Sequence, residues 1–359
     1  MKRIQLGVLS CLSGIAICAS PLFASSSEDA LKTACIHADL VGIATLVEAG
    51  TNPNGAGRYL GWPLGIAIKY DDLKLVRLLL AKGANPNDAS DGRCGPLWDA
   101  FDSSVPILES LLAAGADPNC VWADKSGAGD QSLSTPLMAA ASMKGLRNAH
   151  GLHRLTWTDR PARKDTPRPV DVIKLLLKFG AKPNTRSYSG TNALYDAIDS
   201  DDADAARALI DGGLDINSTI DAPTSGAGQL LSSGPTPLMH ALARYEPGSD
   251  ASKRMINLLL EKGADPNVTP HGKFLSDCGH GTPPCTFSGE TPLSYVARLG
   301  YKSYARLLLE YGANPDGVRA DGAKPADIAT QAGHAETAAL IARYEKQLSE
   351  TRGARASRR

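Results

Sequence analysis

Aromatic residues and net charge are both in short supply in this sequence of 359 residues. Phe, Trp and Tyr make up 5% of it, and 38 basic residues balance 38 acidic ones. A balanced charge gives no indication that the whole chain binds nucleic acid or an acidic membrane surface. The few aromatics, together with 35 Gly, favour thin stacked layers of Leu and Ala over one large globular core.

The motifs of common catalytic sites are missing as well. The sequence contains no Gly-x-Ser-x-Gly elbow, no His-Glu-x-x-His helix and no phosphate-binding loop, and its seven His are scattered. The glycine runs at Ser126 and Ser225 do not end in Lys with Ser or Thr, as a phosphate cradle requires. We therefore expect no catalytic residue and no cofactor. An enzyme whose site is supported by inserted loops is the alternative of a different class.

What the sequence does contain is a recurring phrase: KGANPN at Lys82, AGADPN at Ala114, KGADPN at Lys262 and YGANPD at Tyr311. Each phrase follows an apolar run with helical spacing, such as LKLVRLLLAKG at Leu73. Gly allows a helix to end and the Pro that follows prevents it from resuming. The glycines at this position are 33, 32, 65, 33, 50 and 49 residues apart: Gly50, Gly83, Gly115, Gly180, Gly213, Gly263 and Gly312. One basic unit with insertions explains these intervals.

We call each copy of this phrase a stop phrase, because it ends a helix. A second motif lies between consecutive stop phrases: TPLMAAA at Thr135, TPLMHALA at Thr236 and TPLSYVA at Thr291. Thr caps a helix, Pro is favourable at its first position, and small Ala residues let a neighbouring helix approach closely. Together the two motifs resemble the ankyrin repeat, whose unit carries a TPLHxA signature. The resemblance covers about Ser27 to Leu348. It implies an all-α ankyrin repeat solenoid of about eight helix-pair units with β-turn finger loops.

The resemblance sets the predicted boundaries of the repeats, and the first and last residues of the sequence set those of the leader and the tail. We expect a signal peptide over 1–24, a repeat domain over 25–348 and a disordered basic tail over 349–359. The predicted units are 27–54, 55–87, 88–119, 120–184, 185–217, 218–267, 268–316 and 317–348. None of seven readable signatures keeps the family's His, the residues there being Gly65, Trp98, Met138, Tyr195, Met239, Ser294 and Asp327. We therefore expect the bonds that this His makes between units to be missing and the stack to be less regular.

The first residues predict export. The basic start MKR precedes the apolar stretch IQLGVLSCLSGIAICAS, which is short for a membrane span and is typical of a secretory signal peptide. Cleavage is expected after Ala24, although Leu22 stands where a smaller residue is usual. This predicts a periplasmic or secreted protein.

Cleavage would remove Cys11 and Cys18 and leave five cysteines in an oxidising compartment, where disulfides persist. The segment CGHGTPPC predicts a disulfide between Cys278 and Cys285 across a short loop. There are two alternatives. The two cysteines and His280 could bind a metal ion, which the lack of a fourth ligand nearby disfavours, or both thiols could be free. Cys94 and Cys120 open neighbouring fingers and form a second candidate pair.

Insertions locate the candidate binding surface. Family members commonly hold protein partners in a concave groove lined by the fingers and the first helices of the units. The fourth, sixth and seventh fingers are enlarged, and the fourth and sixth share an SGAG tip on either side of a short fifth finger. This predicts a notch, with partner-binding residues Trp98, Asp99, Trp122, Tyr188, Tyr195, Asp196, His240 and Tyr295. The alternative is that these aromatics pack between units and that the fingers are tolerated length variation.

A further insertion, residues 144–169, separates the two helices of the fourth unit; we call it the basic insertion. Seven basic residues face two acidic ones in it. It is expected to grip an acidic partner or anionic lipid heads, or else to be a solvated variable loop. Its candidate residues are Arg147, Arg154, Arg160, Arg163, Lys164 and Arg168.

The combined prediction is a monomeric, non-catalytic protein-binding scaffold with no nucleic-acid partner and membrane contact only through the basic insertion. An immunity or inhibitor protein that caps a toxin or envelope enzyme and a chaperone or adaptor both fit the sequence.

Overall fold

The computed structural model describes residues 26–55, 62–88, 94–123, 133–148, 167–187, 190–220, 234–244, 250–269, 289–319 and 321–356. Within these ranges sixteen α-helices form eight consecutive pairs, which confirms the predicted solenoid of helix pairs. We number the pairs as repeats one to eight. The leader and its predicted cleavage site lie outside the described residues.

Each repeat contributes one helix to a first-helix layer and one to a second-helix layer. The first helices are α1 (Ser27–Ile36), α3 (Pro63–Lys69), α5 (Pro96–Asp99), α7 (Pro136–Asn148), α9 (Ala193–Asp199), α11 (Pro237–Arg244), α13 (Pro292–Arg298) and α15 (Pro325–Gln331). The second helices are α2 (Leu40–Glu48), α4 (Leu73–Ala81), α6 (Val105–Ala113), α8 (Pro169–Lys178), α10 (Ala203–Asp211), α12 (Asp250–Glu261), α14 (Lys302–Glu310) and α16 (Ala335–Ala356). A 3₁₀ turn, Ala100–Asp102, follows α5.

The layers arise because each helix packs on its own partner and on the same helix of the next repeat. In the first-helix layer α9 contacts α7 and α11, and in the second-helix layer α10 contacts α8 and α12. The buried side chains between the layers are mostly Leu, Ile, Val and Ala, and they form one continuous core cluster along the stack. Small Ala residues such as Ala197 and Ala241, both 0% exposed, allow the close helix spacing that a thin layered core requires.

Local sequence explains where the helices begin and end. Pro occupies the first position of α13 and the Thr291 hydroxyl caps it by accepting a bond from the Ser294 amide. The seven glycines of the stop phrases all have φ between 87° and 97°, and a Cβ placed on any of them would meet nothing within 4 Å. These glycines are therefore required for their left-handed backbone and not for space.

The Asn that ends each stop phrase has a second role that the sequence reading missed. Asn54 donates from Nδ2 to the Gly83 carbonyl at 2.9 Å and accepts at Oδ1 from the Asn85 amide at 2.9 Å. The same two-way bond to the next stop phrase recurs at six successive residues: Asn54, Asn87, Asn119, Asn184, Asn217 and Asn267. This amide ladder joins repeats one to seven through the side-chain amide of Asn, which offers a donor and an acceptor together.

The positions that lack the family's His make other contacts. At Gly65 a Cβ would come within 3.0 Å of the Trp62 indole nitrogen, so the indole takes the space of a side chain. The Tyr195 hydroxyl lies 2.8 Å from the carbonyl oxygens of both Ser218 and Pro235 in the next finger. The expectation that bonds between units are missing at these positions is therefore wrong at repeat five, because a Tyr reaches the neighbouring backbone.

The stack ends with a change of chemistry. Asp316 stands at the ladder position of repeat seven and has no amide donor; instead it accepts from Lys324 Nζ at 3.1 Å, and Lys324 also contacts Glu345 on α16. Helix α16 continues to Ala356, so residues 349–356 of the predicted disordered tail are helical. No helix in the described ranges combines the length and apolar character needed to cross a membrane.

Candidate functional site

Three of the predicted surface aromatics are interior residues. Trp98, Tyr195 and Tyr295 are 4%, 2% and 3% exposed. Trp98 packs edge-on against Phe101, with ring centroids 5.6 Å apart. Their prediction as exposed anchors is corrected, because packing within the stack buries all three side chains. Burial raises the pKa of Tyr295 to about 12, as expected for a phenol packed in the core.

Several other predicted site residues cannot be placed. Tyr188, Arg154, Arg160, Arg163, Lys164, Cys278 and Cys285 lie outside the described residues. The side chains of Trp122 and Arg147 also lie outside them, although their backbones are in β1 (Trp122–Ala123) and α7. Arg168 is described and exposed, and it forms two hydrogen bonds with Asp171, at 2.8 and 2.9 Å. Its charge is thus compensated within α8.

The bases of the two long fingers are closed by backbone pairing. In the fourth finger β1 pairs antiparallel with β2 (Leu133–Ser134), with Trp122 opposite Ser134. In the sixth, the Gly234 amide donates to the Ile220 carbonyl at 2.6 Å. The short fifth finger closes between them through the Ser187 amide and the Thr191 carbonyl, at 2.7 Å. The first-helix surface of repeats five and six therefore lies beside one short finger flanked by two longer ones.

A group of charged side chains lies on this surface, at the junction of repeats five and six. We call Asp196 and Asp199 on α9, with His240 and Arg244 on α11, the junction cluster. His240 Nε2 is 2.9 Å from Asp199 Oδ1, and Arg244 lies 3.3 Å from the same oxygen and donates to the Asp199 carbonyl at 2.7 Å. The His240 ring also packs edge-on against Tyr195, with centroids 5.3 Å apart. The predicted residues His240 and Tyr195 are thus brought together, while Asp199 and Arg244, which bind or flank His240, were not predicted.

The two carboxyls of the cluster have opposite electrostatic environments. Burial alone would raise the pKa of Asp199, but the hydrogen bond from His240 and the charges of His240 and Arg244 lower it below its ordinary value. For Asp196, burial raises the pKa to about 7 and the negative charge of Asp199 adds to the rise. Asp196 is half-buried, and among the described residues no cation lowers its pKa.

A second charged group, in repeats seven and eight, contains a buried carboxylate that is fully paired with basic side chains. Glu290 is 4% exposed and accepts two bonds from Arg298, at 3.0 and 3.1 Å, while Arg319 lies 3.6 Å away. Arg298 in turn stacks on the Tyr295 ring at 5.2 Å. Because each of these charges has a partner within the stack, this group leaves no unpaired charge for a ligand.

The cysteines that the structure describes support the second candidate pair. The sulfurs of Cys94 and Cys120 lie within bonding distance and their Cα atoms are 5.5 Å apart, a separation typical of disulfides. Cys35 is buried, and burial raises the pKa of its thiol to about 11. In the described part of the chain no three His, Cys, Asp or Glu residues are arranged to hold a metal ion.

Comparison with known proteins gives the following matches. The family described as "Ankyrin repeats (3 copies)" matches residues 169–270, and the one described as "Ankyrin repeat" matches residues 62–91 and 288–319. The E3 ubiquitin-protein ligase Ufd4 of Drosophila melanogaster is 26% identical over 298 residues, covering 73% of this chain and 10% of that protein. The ankyrin repeat, SAM and basic leucine zipper domain-containing protein 1 of Neofelis nebulosa is 32% identical over 127 residues, covering 34% of this chain and 25% of that protein. The chain therefore spans between a tenth and a quarter of the length of these relatives.

Among solved structures, the ankyrin repeat domain of Bcl-3, a member of the IkappaB protein family, superposes with a TM-score of 0.52 at 21% identity, covering 78% of this chain and 97% of that domain. Ankyrin repeats generally mediate protein–protein interactions, and their fold is typically a non-catalytic scaffold. Ankyrin repeat models match three stretches of the sequence and the fold is shared with an ankyrin repeat domain, so this chain contains ankyrin repeats.

Proposed function

We propose that this protein is an exported, non-catalytic scaffold that holds a partner protein against the first-helix layer of repeats five and six, between the fourth and sixth fingers. The junction cluster carries this proposal. The core of Leu, Ile, Val and Ala accounts for the stack, yet the half-buried carboxyl of Asp196, whose pKa burial raises, is kept on this surface next to the ion pairs of Asp199. Charged groups partly removed from water are costly in a free protein and favourable at an interface that satisfies them.

A capture experiment with the full mature chain tests the surface. The immobilised protein is exposed to envelope extract alongside two variants, Asp199→Lys in the cluster and Arg207→Ala in the second-helix layer of the same repeat. Arg207 is exposed on α10 and serves as the matched control. The partner should be retained by the unchanged chain and by Arg207→Ala and lost from Asp199→Lys, with helix content by circular dichroism equal in all three.

Two results would contradict the proposed surface. One is equal retention by Asp199→Lys. The other is loss of the partner when Arg160, Arg163 and Lys164 are neutralised while Asp199→Lys still binds, because that would place the interface on the basic insertion.

Turnover of a substrate by the chain alone would instead support an enzyme. Addition of the captured partner to the chain then separates an inhibitor, which lowers the partner's activity, from a chaperone or adaptor, which preserves it.

Export is part of the same proposal and rests on the leader and on the cysteine pair. The segment 1–24 has the sequence of a signal peptide, and Cys94 and Cys120 are placed for a disulfide that persists only in oxidising compartments. Cell fractionation with sequencing of the mature N-terminus should find a start near Ser25 in the periplasm or medium. Non-reduced peptide mapping of that fraction should link Cys94 to Cys120 and checks the Cys278–Cys285 prediction at the same time. An intact Met1 in the cytoplasm with all thiols free would contradict export.

A further inference from the structure

Each Asn of the amide ladder forms one rung, and the first rung contains the one Asn-Gly pair of the sequence. Gly55 follows Asn54 there, while the other five ladder asparagines precede larger residues: Asp88, Cys120, Thr185, Ser218 and Val268. Asn54 is exposed and Gly55 is half-buried. The backbone nitrogen of the residue after an Asn can attack the side-chain amide, and it does so most readily in Gly, because no Cβ obstructs the approach.

Packing against α1 accounts for the Gly at this position. A Cβ placed on Gly55 would lie 3.1 Å from the carboxyl carbon of Glu28, closer than side chains normally approach. Unlike the glycines of the stop phrases, Gly55 does not have a positive φ. It is therefore required for space and not for its backbone conformation, and the reactive pair results from how the chain after the first stop phrase packs on α1.

In the folded chain both reacting groups are held by hydrogen bonds. Asn54 Nδ2 donates to the Gly83 carbonyl and Oδ1 accepts from the Asn85 amide, each at 2.9 Å. The Gly55 amide donates to the Asn52 carbonyl at 3.1 Å. All three bonds must break before the Gly55 nitrogen can lose its proton and reach the carboxamide. Such opening is easiest at the end of a stack, and in the described part of the chain the main contacts of α1 and α2 with other repeats are all with α3 and α4.

We propose that Asn54 is a site of spontaneous deamidation that irreversibly unlocks the first repeat. When the rung opens, the Gly55 nitrogen loses its proton and forms a bond to Asn54 Cγ. The bond between Cγ and Nδ2 breaks, and the amide leaves as ammonia after taking up a proton. Water then opens the resulting succinimide ring. Opening at the side-chain carbonyl gives Asp, and opening at the main-chain carbonyl gives isoaspartate, in which the backbone runs through the former side chain.

Either product removes the donor half of the rung. A carboxylate at position 54 cannot donate to the Gly83 carbonyl, and isoaspartate also displaces the chain by lengthening the backbone. Asp316, the carboxylate that stands at the ladder position of repeat seven, accepts a bond from Lys324 Nζ at 3.1 Å, which shows that a ladder carboxylate requires a cation as its partner. Because the ammonia is lost to solvent, the loosening of repeat one from repeat two is not reversed.

Incubation of the full mature chain at pH 7 and pH 8, followed by peptide mapping with mass spectrometry, tests the site. Asn54 should convert to a mixture of Asp and isoaspartate about tenfold faster at pH 8, because the deprotonated fraction of the Gly55 amide rises by that factor. Asn87 forms the same kind of rung but precedes Asp88, so it is the internal control and should stay intact. Gly55→Ala should slow the conversion about tenfold or more, because a Cβ obstructs the attack; Glu28 is exposed and can move aside for it.

Two further variants test the dependence on rung opening, because they change the stability of repeat one and leave Asn54 and Gly55 in place. Ala38→Gly should slow the conversion about two- to fivefold, and Leu31→Ala should accelerate it about tenfold or more. In the converted chain, hydrogen exchange of the Asn85 amide should be faster than before conversion.

Four results would overturn the proposal. They are an Asn54 that stays intact while the same chain unfolded in urea converts, conversion of Asn87 as fast as that of Asn54, equal rates in the unchanged chain and the two stability variants, and unchanged exchange of the Asn85 amide after conversion.

Discussion

At the scale of single residues, three positions hold a backbone conformation that their side chains disfavour. Ala38, Asp71 and Asp201 have φ of 52°, 57° and 52°, each in the turn between the two helices of its repeat. Gly300 and Gly333 take the same turn in repeats seven and eight, with φ of 71° and 82°. Asp71 offsets part of the cost by accepting a bond from the Ser104 amide at 2.9 Å. The Ala38 side chain has no group that can do so.

Ala38→Gly should therefore stabilise the first repeat. A left-handed non-glycine residue costs about 1 kcal/mol or slightly more, and glycine removes this strain at some cost in unfolded-state entropy. The expected net gain is about 0.5 to 1 kcal/mol, measured as slower hydrogen exchange of amides in α1 and α2. Gly50→Ala, which places a Cβ in open space at φ 97°, is the control and should change exchange in the opposite direction. Faster exchange in Ala38→Gly would refute the strain argument.

Asp196 makes stability depend on pH. Its pKa is raised to about 7 in the folded chain and is about 4 when unfolded, so the folded state binds the proton more tightly. The cost of ionising Asp196 begins as pH rises above its unfolded pKa and is complete above about pH 7.

Asp196→Asn should accordingly stabilise the free protein by about 2 kcal/mol at pH 8, a figure reduced for the partial exposure of the side chain, and should change little at pH 4. Urea unfolding at the two pH values measures the difference. Asp204→Asn, at an exposed carboxyl on α10, is the control for removal of an Asp charge from the same repeat. Equal effects of Asp196→Asn at pH 4 and pH 8 would show that Asp196 ionises freely.

At the scale of elements, the amide ladder converts separate helix pairs into a stack. Every rung uses both halves of one amide. At the junction across the basic insertion, Asn119 donates to the Gly180 carbonyl at 3.0 Å and accepts from the Lys182 amide at 2.7 Å. These two bonds cross 61 and 63 residues of sequence, so the rung holds repeats three and four in register despite the insertion.

Asn119→Ala should cost about 1 to 3 kcal/mol, because two bonds are lost at a partly solvated site. Asn119→Asp keeps the acceptor and loses the donor, so its cost should be intermediate. Hydrogen exchange of the Lys182 amide reports the acceptor bond directly and should increase in the Ala variant while changing less in the Asp variant. Identical exchange in both variants would show that the acceptor bond contributes nothing.

At the scale of the whole molecule, the main helix contacts in the described part of the chain join neighbouring repeats. The helices of repeat six, α11 and α12, touch repeat five through α9 and α10 and repeat seven through α13. The stability of such a stack is a sum of repeat and neighbour terms, so damage to one repeat spreads mainly to the adjacent ones.

Leu259→Ala, at a side chain that is 0% exposed on α12, should cost about 3 kcal/mol and weaken the link between the two halves of the stack. Urea unfolding followed by hydrogen exchange and mass spectrometry should then show repeats six to eight opening before repeats two to five. Leu31→Ala, equally buried in repeat one, is the control and should leave repeats five to eight unchanged. A single transition of all repeats in Leu259→Ala would contradict the nearest-neighbour picture.

The sequence alone determined the repeat architecture, because helix ends are decided locally. The stop glycines need a left-handed backbone and the prolines of the TPL signatures suit a first helical turn, so period, helix pairing and number of repeats could be predicted from short motifs. The repeat spacing also identified the enlarged fingers and the two cysteines, Cys94 and Cys120, that open neighbouring fingers. It gave Asp196 and His240 as candidate partner-binding residues.

Only the tertiary structure decided which side chains face outward and which groups meet. Tyr195 and Tyr295 were expected at the surface, but packing within the stack buries them. Asp199 and His240 are 41 residues apart, and their contact depends on how α9 and α11 stack. The ladder rungs likewise join residues about 30 or more positions apart. Side-chain burial, pKa values and contacts between residues far apart in sequence depend on how neighbouring repeats stack. That stacking is set by the sum of many core contacts and not by any one motif.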